Sequence, residues 1–278
     1  MAKSGNNEKV VSAKNMNKKA AAKKSRAVTG LSSVDLFAGC GGLSRGLRDA
    51  GFDCIAYNEL NKDASATFEK NFPKSVPLPS DIYEVNSKIL NKTVPGKIDL
   101  VCGGPPCQGY SGIGHRRSYS VEKEDIPTNH LYEEMIRVID HLRPRAFLFE
   151  NVRGLLSSKW KSSGNNGEIF RDVLEGFNSI DGYVTQPTLV HAYGFGVPQN
   201  RPRVMIMGLE KVIFRTTRIK LPEFNADADA GTFPSQLRNN GGLFPKWTKS
   251  TAPDVEEAIS DLEYDDWTEE EEHHRMPP

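Results

Sequence analysis

Between residues 31 and 208 the sequence alternates short apolar runs with amphipathic segments that end near glycine or proline. The runs predict strands, and the amphipathic segments predict helices with a shared apolar face. The predicted strands are 33–37, 53–59, 97–103, 145–151, 185–192 and 203–209, and the predicted helices are 43–52, 62–72, 130–142 and 168–178. Strands that alternate with helices favour an α/β fold with a doubly wound, mostly parallel sheet and helices on both faces. Ligands of such sheets bind beyond the carboxyl ends of the strands, so we expect the chemistry there.

The two ends of the chain depart from this pattern and carry opposite charge. Residues 1–29 hold eight Lys or Arg and one acid, whereas residues 253–274 hold eleven Asp or Glu and no Lys or Arg. We interpret 1–30 as a disordered basic tail that either contacts phosphates, serves as a nuclear address or has no role. Residues 31–215 form the predicted α/β domain, and residues 216–278 are loop-rich with an acidic end.

Composition argues against several classes of protein. No apolar run approaches the about 20 residues that cross a bilayer, and no apolar region follows the basic start, so we expect neither a membrane span nor a secretory signal. Four cysteines in 278 residues are typical of a reduced, intracellular protein. They form no CxxC pair, so we expect no metal site.

A glycine-rich turn and two acids mark the amino-terminal half of the predicted strand edge. "DLFAGCGG" (35–42) ends the first strand and opens the first helix, where glycines allow positive φ and close approach of a ligand. Glu59 follows the second strand about twenty residues later, where an acid can accept both hydroxyls of a ribose. Asp81 occupies the next turn and can accept from an adenine amino group. The pattern favours an adenosine ligand, although an ordinary strand–helix turn also fits the glycines.

Four candidate reactive residues lie near the ends of the later predicted strands. Cys107 lies in "GGPPCQGYSG" (103–112), where the paired prolines argue against a core position and favour a nucleophilic thiol over a buried structural one. Glu150 ends an apolar strand, where a carboxylate is costly unless it is paired. Arg201 and Arg203 stand two apart at the entry to a strand, so both side chains should face the same side of the sheet. They could bind a phosphate, a carbonyl oxygen or Glu150, or they could be a solvated pair of charges.

The order of these motifs resembles the C5-cytosine DNA methyltransferase family, which uses S-adenosylmethionine. The resemblance rests on "DLFAGCGG", on "PPCQ" (105–108), on "ENV" (150–152) about forty residues later, and on "QNRPR" (199–203). It covers about residues 33 to 209. It implies the class I methyltransferase fold, a Rossmann-like sheet with one antiparallel strand, and makes 31–215 the methyltransferase catalytic domain.

The resemblance also implies a cofactor site for S-adenosylmethionine. Glu59 would bind the ribose, and Pro106 would border the methionine end. The full set of expected cofactor residues is Phe37, Ala38, Gly39, Gly41, Gly42, Leu43, Glu59, Asp81, Ile82 and Pro106.

The resemblance gives each reactive residue a role. Cys107 would add to C6 of a cytosine flipped out of double-stranded DNA, which activates C5 for methylation. Glu150 would donate a hydrogen bond or proton to N3, Arg203 would contact O2, and Arg201 would support Glu150 and the cysteine loop.

The sequence departs from the family after residue 215. Complete members continue with a target-recognition domain and then a return segment with an asparagine that completes the cofactor pocket, and neither is found here. We therefore expect a second polypeptide to carry these parts, or the chain to be a truncated form. Methylation of transfer RNA and an inactive regulatory subunit stay open as alternatives. The location would be cytoplasmic in a bacterial restriction-modification system, or nuclear in a eukaryote.

Overall fold

The structure is a computed structural model, and it describes residues 30–94, 96–106, 122–238, 241–245 and 253–254. Residues 1–29 of the predicted basic tail and Cys107 lie outside the described residues. No helix among the described residues has the length and apolar character that a bilayer crossing requires.

Strands and helices alternate through the described domain, as the sequence pattern predicts. The strands are β1 (Leu31–Leu36), β2 (Phe52–Asn58), β3 (Val76–Pro77), β4 (Leu100–Gly103), β5 (Ala146–Val152), β6 (Tyr183–His191) and β7 (Pro202–Glu210). The helices are α1 (Gly42–Asp49), α2 (Lys62–Asn71), α3 (Ser87–Thr93), α4 (Leu131–Leu142), α5 (Glu168–Asn178), α6 (Lys211–Thr216) and α7 (Phe233–Gln236).

The seven strands form one sheet in the order β3-β2-β1-β4-β5-β7-β6. All neighbouring pairs are parallel except those of β7, which runs antiparallel to both β5 and β6. The doubly wound, mostly parallel sheet with one antiparallel strand is therefore confirmed. The antiparallel strand brings the start of β7 to the same edge as the carboxyl ends of β1, β2, β4 and β5.

Apolar side chains cover both faces of the sheet. On one face, α3, α4 and α5 pack over β1, β4, β5 and β7 and bury a continuous core that includes Met135 and Phe177. On the other face, Phe68 of α2 stacks on Tyr57 of β2 with ring centroids 4.0 Å apart. Helices on both faces hold the strand ends in fixed positions. Side chains at the carboxyl-end edge of the sheet can therefore be placed precisely around a ligand.

Strand β5 is buried unevenly. Phe147 and Phe149 are fully buried on one face, whereas the alternate residues Leu148 and Glu150 are only half-buried on the other. Strand β7 repeats the pattern, since its residues alternate between buried and half-buried along most of its length. The face of the sheet opposite α4 and α5 is thus less completely covered at β5 and β7.

Four short elements and one packing contact were not predicted from the sequence. Strand β3 and helices α3, α6 and α7 are too short to show a periodic pattern. Residues after 216, which read as loop, return to the main core, where Phe233 and Leu237 are fully buried and Leu237 O accepts from the backbone N–H of Leu189 in β6.

Candidate active site

The turn after β1 is shaped by left-handed backbone. Phe37, Gly39 and Gly41 have φ of 55°, 55° and 93°. Glycine is required at Gly41, because a Cβ there would lie 2.5 Å from the Phe72 ring. Gly39 and Gly42, by contrast, have open space where a Cβ would point. The turn therefore exposes its backbone to a ligand at the start of α1.

Glu59 closes this turn from β2. Its Oε2 accepts from the backbone N–H of Gly39 at 2.8 Å, and its Oε1 accepts from the N–H of Asn61 at 2.8 Å. Each carboxylate oxygen has two lone pairs, so both oxygens retain one for a further donor. Leu60, next in the chain, is 70% exposed and offers an apolar surface beside the carboxylate.

Asp35 lies buried beneath the same turn. Its Oδ2 accepts from the Ser44 hydroxyl of α1 at 2.6 Å, which ties the end of β1 to the first turn of the helix. Burial raises the pKa of Asp35 from 3.8 to about 6, although hydrogen bonds from Ser44 and Cys102 act in the opposite direction. The neighbouring Cys102 thiol is also fully buried, and burial together with the Asp35 charge raises its pKa well above the usual value. Cys102 is thus suited to packing and unsuited to reaction.

The third turn of the edge is held by Asn58. Its amide Nδ2 donates to the carbonyl oxygens of Pro79 and Ser80 at 2.6 and 3.0 Å. Asp81 follows and is exposed, and its Oδ1 accepts from the N–H of Tyr83. Ile82 is buried, and its carbonyl oxygen accepts from Arg137 of α4 at 3.2 Å.

These three turns fit a nucleoside such as that of S-adenosylmethionine. The fit rests on the open backbone at Gly39 and Gly42, on the free lone pairs of Glu59, and on the exposed carboxylate of Asp81. In the same region Ala38 is buried, Leu43 at the start of α1 is half-buried, and Phe37 packs against the core. The predicted cofactor residues thus lie along one edge, although the buried side chain of Ile82 leaves only its backbone available.

Glu150 and Arg203 form an ion pair at the other half of the edge. Arg203 Nε lies 2.6 Å from Glu150 Oε1, and the two side chains are 17% and 25% exposed. Glu150 Oε2 lies against Gly104, where a Cβ would come within 3.0 Å of it. A half-buried, charge-paired carboxyl group beside a glycine turn can orient a polar ring by hydrogen bonding, because few water molecules reach it to compete for those hydrogen bonds.

Among the described residues, the ion pair with Glu150 is formed by Arg203 and not by Arg201. The register explains this: Val152 pairs with Arg203 and Glu150 with Met205, so the long Arg203 side chain reaches diagonally across one pair. Arg201 precedes β7 and is exposed, and its backbone N–H donates to Gln199 O. The support of Glu150 and the cysteine loop expected of Arg201 stays a prediction.

The turn after β4 joins the two halves of the edge. Pro105 is buried and Pro106 is exposed. The amide of Asn151, which follows Glu150 in β5, donates to the Pro105 carbonyl oxygen at 3.2 Å. This contact holds the backbone that leads to Cys107 beside the Glu150–Arg203 pair.

Three supporting residues were missed in the sequence. Asp35, Asn58 and Asn151 are buried polar side chains near strand ends, and each fixes a turn at this edge. A polar residue within an apolar strand is the sequence signal that could have identified them. This signal singled out Glu150, and Asp35 shows it equally well.

Comparisons with known proteins identify the family of this chain. Residues 31–275 match the family model described as C-5 cytosine-specific DNA methylase. The Type II methyltransferase M.AgeI of Thalassovita gelatinovora is 37% identical over 181 residues, which cover 64% of this chain and 39% of that protein. M.XorII of Xanthomonas oryzae pv. oryzae is 38% identical over 183 residues, covering 64% of this chain and 40% of that protein. This chain therefore spans about two fifths of these relatives.

A solved structure shows the same fold. It is that of an E. coli prophage-encoded protein assigned as a DNA modification methyltransferase, with a TM-score of 0.58 and 28% identity. The match covers 82% of this chain and 54% of that one.

Proposed function

This chain belongs to the C-5 cytosine-specific DNA methylase family, and from that premise we propose that it methylates C5 of cytosine in double-stranded DNA. The observation that carries the proposal is the Glu150–Arg203 pair, with Nε and Oε1 2.6 Å apart, against the turn that leads to Cys107. A carboxyl group and a guanidinium at one strand edge, together with the thiol of the residue that follows Pro106 in the sequence, are the groups that activation of a pyrimidine ring requires.

Cys107 acts as the nucleophile. Its thiolate forms a bond to C6 of the cytosine, while Glu150 donates a hydrogen bond or proton to N3 and Arg203 contacts O2. The electron pair displaced by the addition then becomes available at C5. Loss of the C5 proton and β-elimination of the thiolate restore the aromatic ring. The thiol cannot reach C6 within a stacked duplex, so the cytosine must be flipped out at a cost of a few kcal/mol.

The cofactor is S-adenosylmethionine, which when bound supplies the sulfonium methyl group that C5 takes up. Glu59 would accept the ribose hydroxyls through its remaining lone pairs, and the open backbone at Gly39 and Gly42 would take the cofactor. Asp81 would accept from the adenine amino group, and Pro106 would border the methionine end. The exposed Leu60 would add an apolar surface to the site.

We further propose that target recognition and the rest of the cofactor pocket lie outside these 278 residues, in a second polypeptide or in a part that a truncated form lacks. This chain matches 39% and 40% of the lengths of the two relatives. The half-buried face of β5 and β7 supports a further covering element, because an apolar sheet face is more stable when another element covers it.

The test is transfer of labelled methyl groups to DNA by the full 278-residue chain, alone and together with a polypeptide that carries the recognition domain. We expect little transfer alone and clear transfer in the mixture, with a loss of about a hundredfold or more in Cys107→Ser. DNA that contains 5-fluorocytosine should trap a covalent adduct through Cys107.

Two results would contradict the proposal. Label that enters transfer RNA and not DNA would favour RNA methylation. The absence of both transfer and adduct in the complemented mixture would favour an inactive regulatory subunit.

A further inference from the structure

A small cavity with a mostly apolar lining and a few polar groups lies against the turn that precedes Cys107. Its volume is about 10 Å³, and Pro105 and Pro106 form part of its wall. The other lining residues come from the segment before α4, from α4 itself, from β5, from the segment between β5 and α5, and from α5. They are Thr128, Asn129, Tyr132, Phe149, Asn151, Leu155 and Val173. A cavity of about 10–15 Å³ is the least that holds one water molecule.

Two polar atoms of this lining are buried and form no hydrogen bond with any residue that the structure describes. They are Thr128 Oγ1 and Asn129 Oδ1. Only one other buried side-chain atom in the described part of the chain shares this property, Asp35 Oδ1. Two of the three therefore line one cavity, although buried polar groups are nearly always hydrogen-bonded.

The chemistry of the two atoms fits a water molecule. The amide nitrogen of Asn129 already donates to Lys123 O at 2.9 Å, so its Oδ1 is an acceptor. The Thr128 hydroxyl can donate. A water molecule accepts from Thr128, donates to Asn129 and keeps one hydrogen for a third acceptor. The Pro105 carbonyl oxygen, which accepts from Asn151, retains a second lone pair for that purpose.

The walls of the cavity are held firmly, so the two atoms cannot easily turn elsewhere. The N–H of Lys123 donates to Trp160 O at 2.9 Å, and the N–H of Ser162 donates to Glu122 at 2.9 Å. His130 stacks on Trp160 with ring centroids 4.9 Å apart. The segment that carries Thr128 and Asn129 is thus clamped to the loop before α5.

We propose that Thr128 and Asn129 bind one water molecule beneath Pro105 and Pro106, and that they act through it as positioning residues for the turn that leads to Cys107. The water site stands on the cavity and its polar atoms. The catalytic consequence rests on the proposed methyl transfer.

The first test is a crystal structure of the full chain that resolves ordered solvent. We expect one water within about 3.2 Å of both Thr128 Oγ1 and Asn129 Oδ1. In Thr128→Val, which keeps the volume but removes the donor, the water should be lost and Pro105 and Pro106 should move by about 0.5 Å or more. The proposal is overturned if the wild-type cavity holds no water, or if the turn stays in place in Thr128→Val.

The second test is turnover by the complemented protein. Thr128→Val should lower kcat about three- to tenfold and leave KM for S-adenosylmethionine unchanged, because the turn and not the cofactor site is disturbed. Thr128→Ser keeps the hydroxyl and should restore most of the rate. The matched control is Thr216→Val, on the exposed face of α6, which should leave kcat unchanged.

The two proposals fail in different ways. A wild-type kcat in Thr128→Val would refute the positioning role. A wild-type protein that holds the water but transfers no methyl group refutes the proposed function. In that case the crystal structures of the wild type and Thr128→Val alone test whether the water is bound and whether it holds the turn in place.

Discussion

Replacement of Asp35 by Asn should stabilise the protein in a way that depends on pH. Asp35 is fully buried at the end of β1, and burial raises its pKa from 3.8 to about 6. Keeping the carboxylate ionised in the folded chain therefore costs free energy that a neutral amide of the same shape avoids. An Asn side chain still offers one oxygen to the Ser44 hydroxyl, so the link between β1 and α1 is retained.

The magnitude and the pH range follow from the pKa shift of Asp35. A rise of about 2 units corresponds to about 3 kcal/mol, at about 1.4 kcal/mol for each unit. Because the folded-state pKa lies above the unfolded one, both states are protonated below about pH 3.8 and the cost is absent. It grows as pH rises towards about 6 and is constant above that. The wild type should therefore lose this stability relative to Asp35→Asn across that window.

Urea unfolding measures the effect directly. The midpoint of Asp35→Asn should exceed that of the wild type by about 1 M at neutral pH, and the difference should shrink towards about pH 4. Asp53→Asn, on the exposed surface of the neighbouring strand, is the matched control and should show no such trend. A difference that is constant with pH, or a wild type that is the more stable protein at neutral pH, would refute the reasoning.

Two further predictions concern the sheet and the reactive edge. Gly208→Ala should lower the free energy of unfolding by about 3 kcal/mol in urea, because a Cβ at this position would overlap the Phe147 ring. The control Gly46→Ala, on the exposed helix α1, should raise the free energy of unfolding by about 0.5–1 kcal/mol. Equal effects of the two substitutions would contradict the predicted overlap with Phe147. Arg203→Lys should lower kcat for methyl transfer by about tenfold or more with little change in the unfolding midpoint, because Lys keeps the charge but not the planar group that orients Glu150. Wild-type turnover in Arg203→Lys would argue against that role of the ion pair.

The sequence predicted most of the fold, because the strands and helices are long enough to show their periods. Every strand and helix predicted between 33 and 209 is present, with ends that differ by a few residues, as for 33–37 against Leu31–Leu36. Strand β3 has two residues, one of them proline, and helix α3 is short and mostly polar. Neither has a hydrophobic periodicity that identifies it from its own residues alone.

The candidate site was predictable where a charged residue stands out in an apolar context. Glu150 stood out in that way, whereas Arg203 was singled out as one of two arginines spaced two apart at the entry to a strand. The partner of Glu150 was not identified, since Arg201 and Arg203 look equivalent in sequence and only the register of β5 and β7 separates them. Asn58 and Asn151 act by donating to backbone carbonyl oxygens that lie far away in sequence, and such contacts leave no local signal.

The antiparallel placement of β7 makes the reactive edge sensitive to the length of one strand. Seven residue pairs join β7 to β5 and nine join it to β6, and side chains alternate faces along each strand. Deletion of a single residue within β7 would turn Arg203 to the opposite face and separate it from Glu150, while every other strand kept its place. Residues added between His191 and Gln199 would leave that alignment and the "QNRPR" segment intact, whereas loss of a residue from the strand would not.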